Sequence, residues 1–197
     1  MSEPATKERI LDAAEQIMLE RSFGSVGLNQ ILTAVKVPKG SFYHYFDSKE
    51  QFGVEMLKHY SKTSNAQRRK ILLESEVELA ATDRLIAMFT SVMEEIEKSG
   101  CKCPCLMQKL AAEVSSLSDA MREALSKGFK DTIFIFQQTL DLAVSQGDLP
   151  AGFDTASEAD FIMDLWSGSQ QRTVLNRDVA PMRRAIEIIR QRLSTAS

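Results

Sequence analysis

An all-α protein of about nine helices is what this sequence predicts, with three short helices in an N-terminal head, a connecting helix, and a larger helical body. Apolar residues recur at spacings of three and four along most of the 197 residues, and no convincing stretch alternates apolar and polar as a half-buried strand would. Glycine, proline and capping residues interrupt that periodicity at helix-length intervals. The helices are short up to residue 47 and longer beyond it, dividing the chain into a head (1–47), a connector (48–70) and a body (71–197).

The elements follow in order. Ile10, Leu11, Ala14, Ile17 and Met18 make an amphipathic first helix that stops near Phe23-Gly24. A second, short helix covers about Leu28 to Val35, with Ile31, Leu32 and Val35 inward, and Lys36-Val37 breaks it. The third runs from Pro38, a residue favoured in a first helical turn, to about Phe46. Ser48 followed by Gln51 is a capping-box pattern, and opens a fourth helix to about Arg69 with Phe52, Met56, Leu57 and Tyr60 on one side. A fifth, Asp83 to Lys98, ends at Ser99-Gly100, and Pro104 opens a sixth through about Ser115. Ser118 caps a long seventh helix to Ser145, carrying Met121, Leu125, Phe129, Ile133, Phe136, Leu140 and Val144. After a loop containing Gly147, Pro150 and Gly152, two closing helices span about Ser157 to Leu175 and Ala180 to Ser194.

Composition excludes several classes. With 44% hydrophobic and 26% charged residues, the chain has material for an ordinary core and needs no disulfide framework. Met1 to Arg9 lack the apolar stretch of a secretory signal, and nowhere do about 18 apolar residues run uninterrupted, so the cytoplasm is expected and a membrane is not. A nucleophile-base-orienter set and a glycine-rich phosphate loop are both missing from the pattern, so an enzyme is not expected and no cofactor is implied.

The segment Leu28 to Phe46 has the length and break of a helix-turn-helix, in which the second helix enters the major groove of DNA. Phe42 and Phe46, four residues apart, face the head's core with Tyr45 on their flank; Lys39, Gly40, Tyr43 and His44 fall largely on the other side. Lys39 has the donor for guanine or phosphate, Ser41 and Tyr43 reach phosphate or a base edge, and Gly40 allows close approach to the duplex. Lys49 sits where the amides of the fourth helix would meet a phosphate. The net charge of −3 does not oppose this, because DNA meets one face. Three lysines and His44 stand against Asp47 alone between Lys36 and Lys49, and Lys62, Arg68, Arg69 and Lys70 form a second basic group. Solvated helix faces would carry the same charges, and a helical protein-interaction module remains the alternative from another class.

At the strings Ile10-Leu11-Asp12-Ala13-Ala14, Phe23-Gly24 and Lys39-Gly40-Ser41-Phe42-Tyr43-His44-Tyr45-Phe46-Asp47-Ser48-Lys49-Glu50, the chain resembles the TetR family of bacterial regulators. The resemblance implies DNA contacts at Lys39, Gly40, Ser41, Tyr43, His44 and Lys49, with others from Gly27 to Gln30, Asn29 among them. It also implies a homodimer on a palindromic operator, released by a small-molecule inducer. Three positions depart from the family pattern: Gly27 replaces a hydroxyl cap, Lys36 a turn glycine, and Asn29 a frequent arginine.

In the body, Met182, Ile186, Ile189 and Leu193 are spaced as a helix-packing seam, and Ile162, Leu165 and Trp166 offer another; these are the expected dimer interface, with packing inside one chain as the alternative. The cysteines are Cys101, Cys103 and Cys105. Their spacing lacks the paired pattern of structural zinc, and His44 and His59 lie far from them, so no metal is expected. Cys105, next to Pro104, is expected in a first helical turn near Lys102 and Lys109, where backbone amides and positive charge favour a reactive thiolate. The stretch Pro104 to Val114 resembles a TetR subgroup controlling reductases of reactive electrophiles, which makes Cys105 the candidate sensor by resemblance. Phe89, Met93, Met107, Phe129 and Trp166 are the candidates for an apolar ligand pocket, a non-covalent alternative, though such stripes are more often core.

Overall fold

A computed structural model describes residues 3–75, 78–102, 105–114 and 116–195. Among these residues nine helices and no strand are found: α1 (Glu3–Glu20), α2 (Leu28–Val35), α3 (Lys39–Tyr45), α4 (Lys49–Leu72), α5 (Ala81–Lys98), α6 (Leu106–Val114), α7 (Asp119–Gln146), α8 (Thr155–Asn176) and α9 (Ala180–Thr195). The all-α architecture is as expected, and two helix starts are corrected. Pro38 caps α3 instead of entering it: its backbone is extended (φ −61°, ψ 145°) and its carbonyl accepts the Ser41 N–H at 3.0 Å. Helix α6 begins at Leu106, and Pro104 lies outside the described residues. No helix among the described residues is long and apolar enough to cross a membrane.

The chain forms two compact units, Met1–Ser64 with Pro104–Phe129, and Asn65–Cys103 with Lys130–Ser197. The head therefore shares its unit with α6 and the start of α7, a grouping in space that cuts across the sequence ranges. In this first unit Phe42, Phe46 and Phe52 are sealed, with ring centroids 4.9–5.4 Å apart, and pack with Ile10, Met18, Ile31 and Met56. Each such side chain contributes about 1.5–3 kcal/mol by leaving water. Leu106, Leu110, Val114 and Met121 join the same core, which gives three short helices the apolar partners they lack alone. Gly53 makes room for its neighbours: a Cβ there would lie 2.7 Å from the Phe23 ring and from Met121, so those side chains would have to shift.

Caps fix the joints. Ser48 Oγ accepts the Gln51 N–H at 3.0 Å, and the Gln51 side chain accepts the N–H of Asp47, so the expected capping box forms one residue further out on its return arm. Ser118 Oγ accepts the Met121 N–H at 3.1 Å at the start of α7. In the second unit Asp154 caps α8 through the Ser157 N–H, and the Ser157 hydroxyl, aided by that N–H, holds the Asp154 carboxyl below its usual range. There Arg69 bonds Gln138 at 2.9 Å and Thr132 bonds Asn65 at 3.0 Å, tying α4 to α7. Arg68 also bonds Asn65. The supposed second basic group is therefore partly consumed by internal packing.

The residues expected at a dimer interface are already covered within the single chain. Ile162, Met182 and Ile189 are fully buried within one chain, and Trp166, Ile186 and Leu193 are at most 7% exposed. They lie on α8 and α9, which pack together and are joined by the Arg192–Glu158 ion pair. The heptad-like spacing was real, but its partner helix lies in the same chain.

Candidate nucleic-acid interface and sensor

Helix α2 ends in a Schellman turn. Lys36 takes the left-handed conformation (φ 54°, ψ 40°), its N–H bonding Thr33 at 3.2 Å while the Val37 N–H bonds Leu32 at 3.0 Å. This sharp reversal delivers Pro38 and sets α3 off in a new direction. Gly27 at the other end of α2 caps through extended backbone alone, without a side-chain bond. Helix α3 then shows two opposite faces. Phe42 and Phe46 are buried, whereas Lys39, Gly40 and His44 are exposed, Tyr43 is 52% exposed, and Ser41 is half-buried. Tyr43 stands edge-on to Phe42 with centroids 5.5 Å apart, so the core ring steadies the exposed one. A Cβ on Gly40 would meet no protein atom within 4 Å, so nothing inside the chain demands glycine there. Asn29 is exposed, and its carbonyl accepts the Thr33 hydroxyl at 2.7 Å.

Lys49 is half-buried and its ammonium turns back, 3.4 Å from the Gly24 carbonyl and 4.8 Å from the Phe23 ring centroid. That side chain braces the turn after α1. What this helix end offers a phosphate is backbone N–H.

The sensor candidates separate. Cys101 belongs to the second unit, is 6% exposed, and closes α5 in a left-handed conformation (φ 59°) with its N–H bonded to Ile96 at 2.8 Å. Burial removes it from easy attack by a reagent. Cys103 lies outside the described residues. Cys105 is half-buried in the first unit, and its carbonyl accepts the Lys109 N–H at 3.0 Å. It therefore occupies the N-cap of α6, one position ahead of the expected first turn. The next N–H, that of Leu106, bonds the Tyr60 hydroxyl of α4 at 3.3 Å.

Lys109 reaches past its own helix to the end of α1. Its ammonium donates to the carbonyls of Met18 (2.8 Å), Leu19 (2.6 Å) and Arg21 (3.1 Å), the C-terminal end of α1. One turn on, Glu113 accepts the N–H groups of Phe23 (3.1 Å) and Gly24 (2.7 Å). One face of α6 thus grips the end of α1 with a cation and the following turn with an anion, each sign matched to the backbone groups it meets. The sequence held a signal for this in the i, i+4 pairing of Lys109 and Glu113, which names no partner.

Of the pocket candidates, Met107 and Phe129 fall in the first unit and Phe89, Met93 and Trp166 in the second. Phe89 stacks between Phe136 and Trp166, with centroids 5.5 and 4.4 Å away, as a core cluster would. Lys102 also lies in the second unit.

This geometry can be set beside known proteins. Residues 10–56 match the model described as "Bacterial regulatory proteins, tetR family", and residues 81–189 match "Tetracyclin repressor-like, C-terminal domain". The chain belongs to the TetR family. Among TetR-family relatives, the HTH-type transcriptional repressor NemR of Escherichia coli K12 is 35% identical over 195 residues, covering 98% of this chain and 96% of that protein. The transcriptional regulator AcuR of Cereibacter sphaeroides is 30% identical, covering 89% and 79%. The crystal structure of reduced E. coli NemR superposes with a TM-score of 0.86 at 32% identity, covering 95% of this chain and 97% of that one. The family and these relatives are transcriptional regulators, so this chain is a TetR-type regulator and not an enzyme.

Proposed function

We propose that the protein is a homodimeric repressor that reads a palindromic operator with α3 and leaves it when Cys105 is modified by an oxidant or electrophile. The observation that carries the DNA reading is the division of α3 into a sealed phenylalanine face and an exposed Lys39-Gly40-Tyr43-His44 face. Ser41 and Asn29 border that face, and the N–H groups of Lys49 and Glu50 add a phosphate site. For the partner copy, the outer side of α8 offers Phe161, Leu165, Gly168 and Leu175, recurring at four, three and seven residues. Leu175 is 80% exposed, and Ile188 of α9 is 41% exposed. A second copy of the chain suits these apolar residues better than water does.

The signal reading rests on what α6 holds. Its cap is Cys105, its first N–H is held by Tyr60, and its side chains clamp the end of α1. A thiolate adding to an electron-poor alkene forms a C–S bond at the cap, and the neighbouring carbon takes a proton from water. The added bulk must move the start of α6, and the head feels it through the Lys109 and Glu113 contacts. The relative NemR is a repressor whose solved structure is of its reduced form, in keeping with a redox-responsive thiol.

Two variants test the two halves. Lys39→Ala with Tyr43→Ala abolishes specific operator binding in a mobility-shift assay while sedimentation still shows a dimer; retained specific binding removes α3 from the interface. Cys105→Ser keeps operator affinity but no longer releases DNA on treatment with N-ethylmaleimide. A Ser variant that releases DNA as the parent does would discard the thiol switch.

A further inference from the structure

Away from the DNA face and the thiol, one cluster of metal-ligating side chains stands out among the described residues. Asp12 and Glu15 lie one turn apart on α1, and His59 faces them from α4, all within the first unit. One ligand atom from each lies within 4.8 Å of the others, and His59 Nε2 is already 2.8 Å from Asp12 Oδ1. The independent observation is at Glu15, whose Oε1 is buried away from solvent with no hydrogen-bond partner. An acceptor left unpaired in this way is costly, and a cation would satisfy it.

The geometry points to a divalent transition-metal site of the zinc class formed by Asp12, Glu15 and His59, fastening α1 to α4. Zinc bonds of about 2.0–2.2 Å to nitrogen and oxygen place neighbouring ligand atoms about 3.4 Å apart, so the cluster needs only small side-chain movements to close on an ion. One imidazole and two carboxylates give a charge of −2 to set against Zn²⁺. The Asp12 side chain is 65% exposed, leaving an open side where water completes the coordination. Of the lysines lining the adjoining groove of about 290 Å³, Lys7 and Lys58 are held by Glu55 at 3.1 and 3.4 Å, with Lys62 beside them. The site was not expected from the sequence, where Asp12 and His59 are 47 residues apart.

The chain has two histidines, His44 and His59, so imidazole ¹⁵N NMR reads the site directly. Full-length protein is stripped with chelator, reduced, and titrated with Zn²⁺ at neutral pH. The expected result is that the His59 resonances move to a metal-bound, Nδ1-protonated pattern at one equivalent while His44 stays in place. If Nε2 carries a proton in the apo state, that proton leaves to solvent. Asp12→Asn and Glu15→Gln should each weaken the midpoint about tenfold or more, with the dimer and the helical circular dichroism unchanged. Zinc bound with His59 unmoved, as on the cysteine thiolates, overturns the proposal. So does an absence of binding, or a His59 shift that survives both carboxylate variants at full affinity.

Discussion

Replacing Lys109 by methionine should loosen the whole head. The substitution keeps most of the apolar stem and removes an ammonium that donates to three carbonyls, those of Met18, Leu19 and Arg21, at 2.6–3.1 Å. One hydrogen bond from a charged group contributes about 1.5–3 kcal/mol. Three sharing one ammonium are not additive, and at this half-buried site water replaces part of what is lost, so the net cost is about 2–3 kcal/mol. In a chain of this length each kcal/mol moves Tm by about 2–4 °C, which places the variant about 4–12 °C below the parent. Thermal unfolding followed by helical circular dichroism in a reducing buffer measures this. A loss under about 0.5 kcal/mol would show that the three contacts are replaced by water at no cost, and the argument fails. Operator affinity before and after N-ethylmaleimide supplies a second readout. With the grip cut, modification at Cys105 should change affinity less in the variant than in the parent. An unchanged ratio would mean that the signal travels by another contact.

Other substitutions test single steps. Lys36→Gly relieves a left-handed lysine (φ 54°) at about 1–2 kcal/mol, partly offset by the freer unfolded chain, so Tm should rise by about 1–4 °C in the same melts. Gly53→Ala forces a Cβ to within 2.7 Å of Phe23 and Met121 and should destabilise by about 1–3 kcal/mol in urea titrations; a neutral result would mean that Phe23 gives way freely. At Glu55 burial acts to raise the carboxyl's pKa, but the hydrogen bonds and charges of Lys7 and Lys58 outweigh it and the net shift is downward. A carboxyl lowered by folding stabilises above its unfolded value of about 4.5 and loses that contribution as pH falls through the folded value. Glu55→Gln should therefore lower stability slightly at pH 7 and progressively less as pH falls through the folded value, and a loss that does not shrink in acid would remove the ion pair as the cause.

Much of this was legible because local rules and packing agree. Phe42 and Phe46 four residues apart, Ser48 ahead of Gln51, and Ser118 ahead of α7 each name a structure within a few residues. The seam on α9 does not name its partner, because a heptad records that a helix face is covered and not by which helix. Met182, Ile186 and Ile189 satisfy the pattern equally well against helices of their own chain, where α9 packs on both α5 and α8. Lys109 is legible in the sequence only as a charge four residues from Cys105; its four-carbon stem also reaches past its own helix to the open carbonyls at the end of α1. The cluster of Asp12, Glu15 and His59 shows no local pattern, since it exists only once α1 and α4 lie side by side.

These contacts also bear on how little a thiol must do. Allosteric sites are commonly coupled by about 1–3 kcal/mol. Lys109 and Glu113 together make five hydrogen bonds from α6 to the end of α1 and its following turn, and the cation's share alone is about 2–3 kcal/mol. An adduct at Cys105 therefore need not unfold anything or drive a large motion. Displacing the start of α6 enough to lengthen part of that grip already spends free energy on the scale of a regulatory response. The effect reaches the backbone between α1 and α2, on which Lys49 at the start of α4 is braced just after the reading helix. A cysteine one residue earlier or later would lie off the cap, and on this reasoning moving the thiol to position 106 in a Cys105→Ser background should abolish release by N-ethylmaleimide.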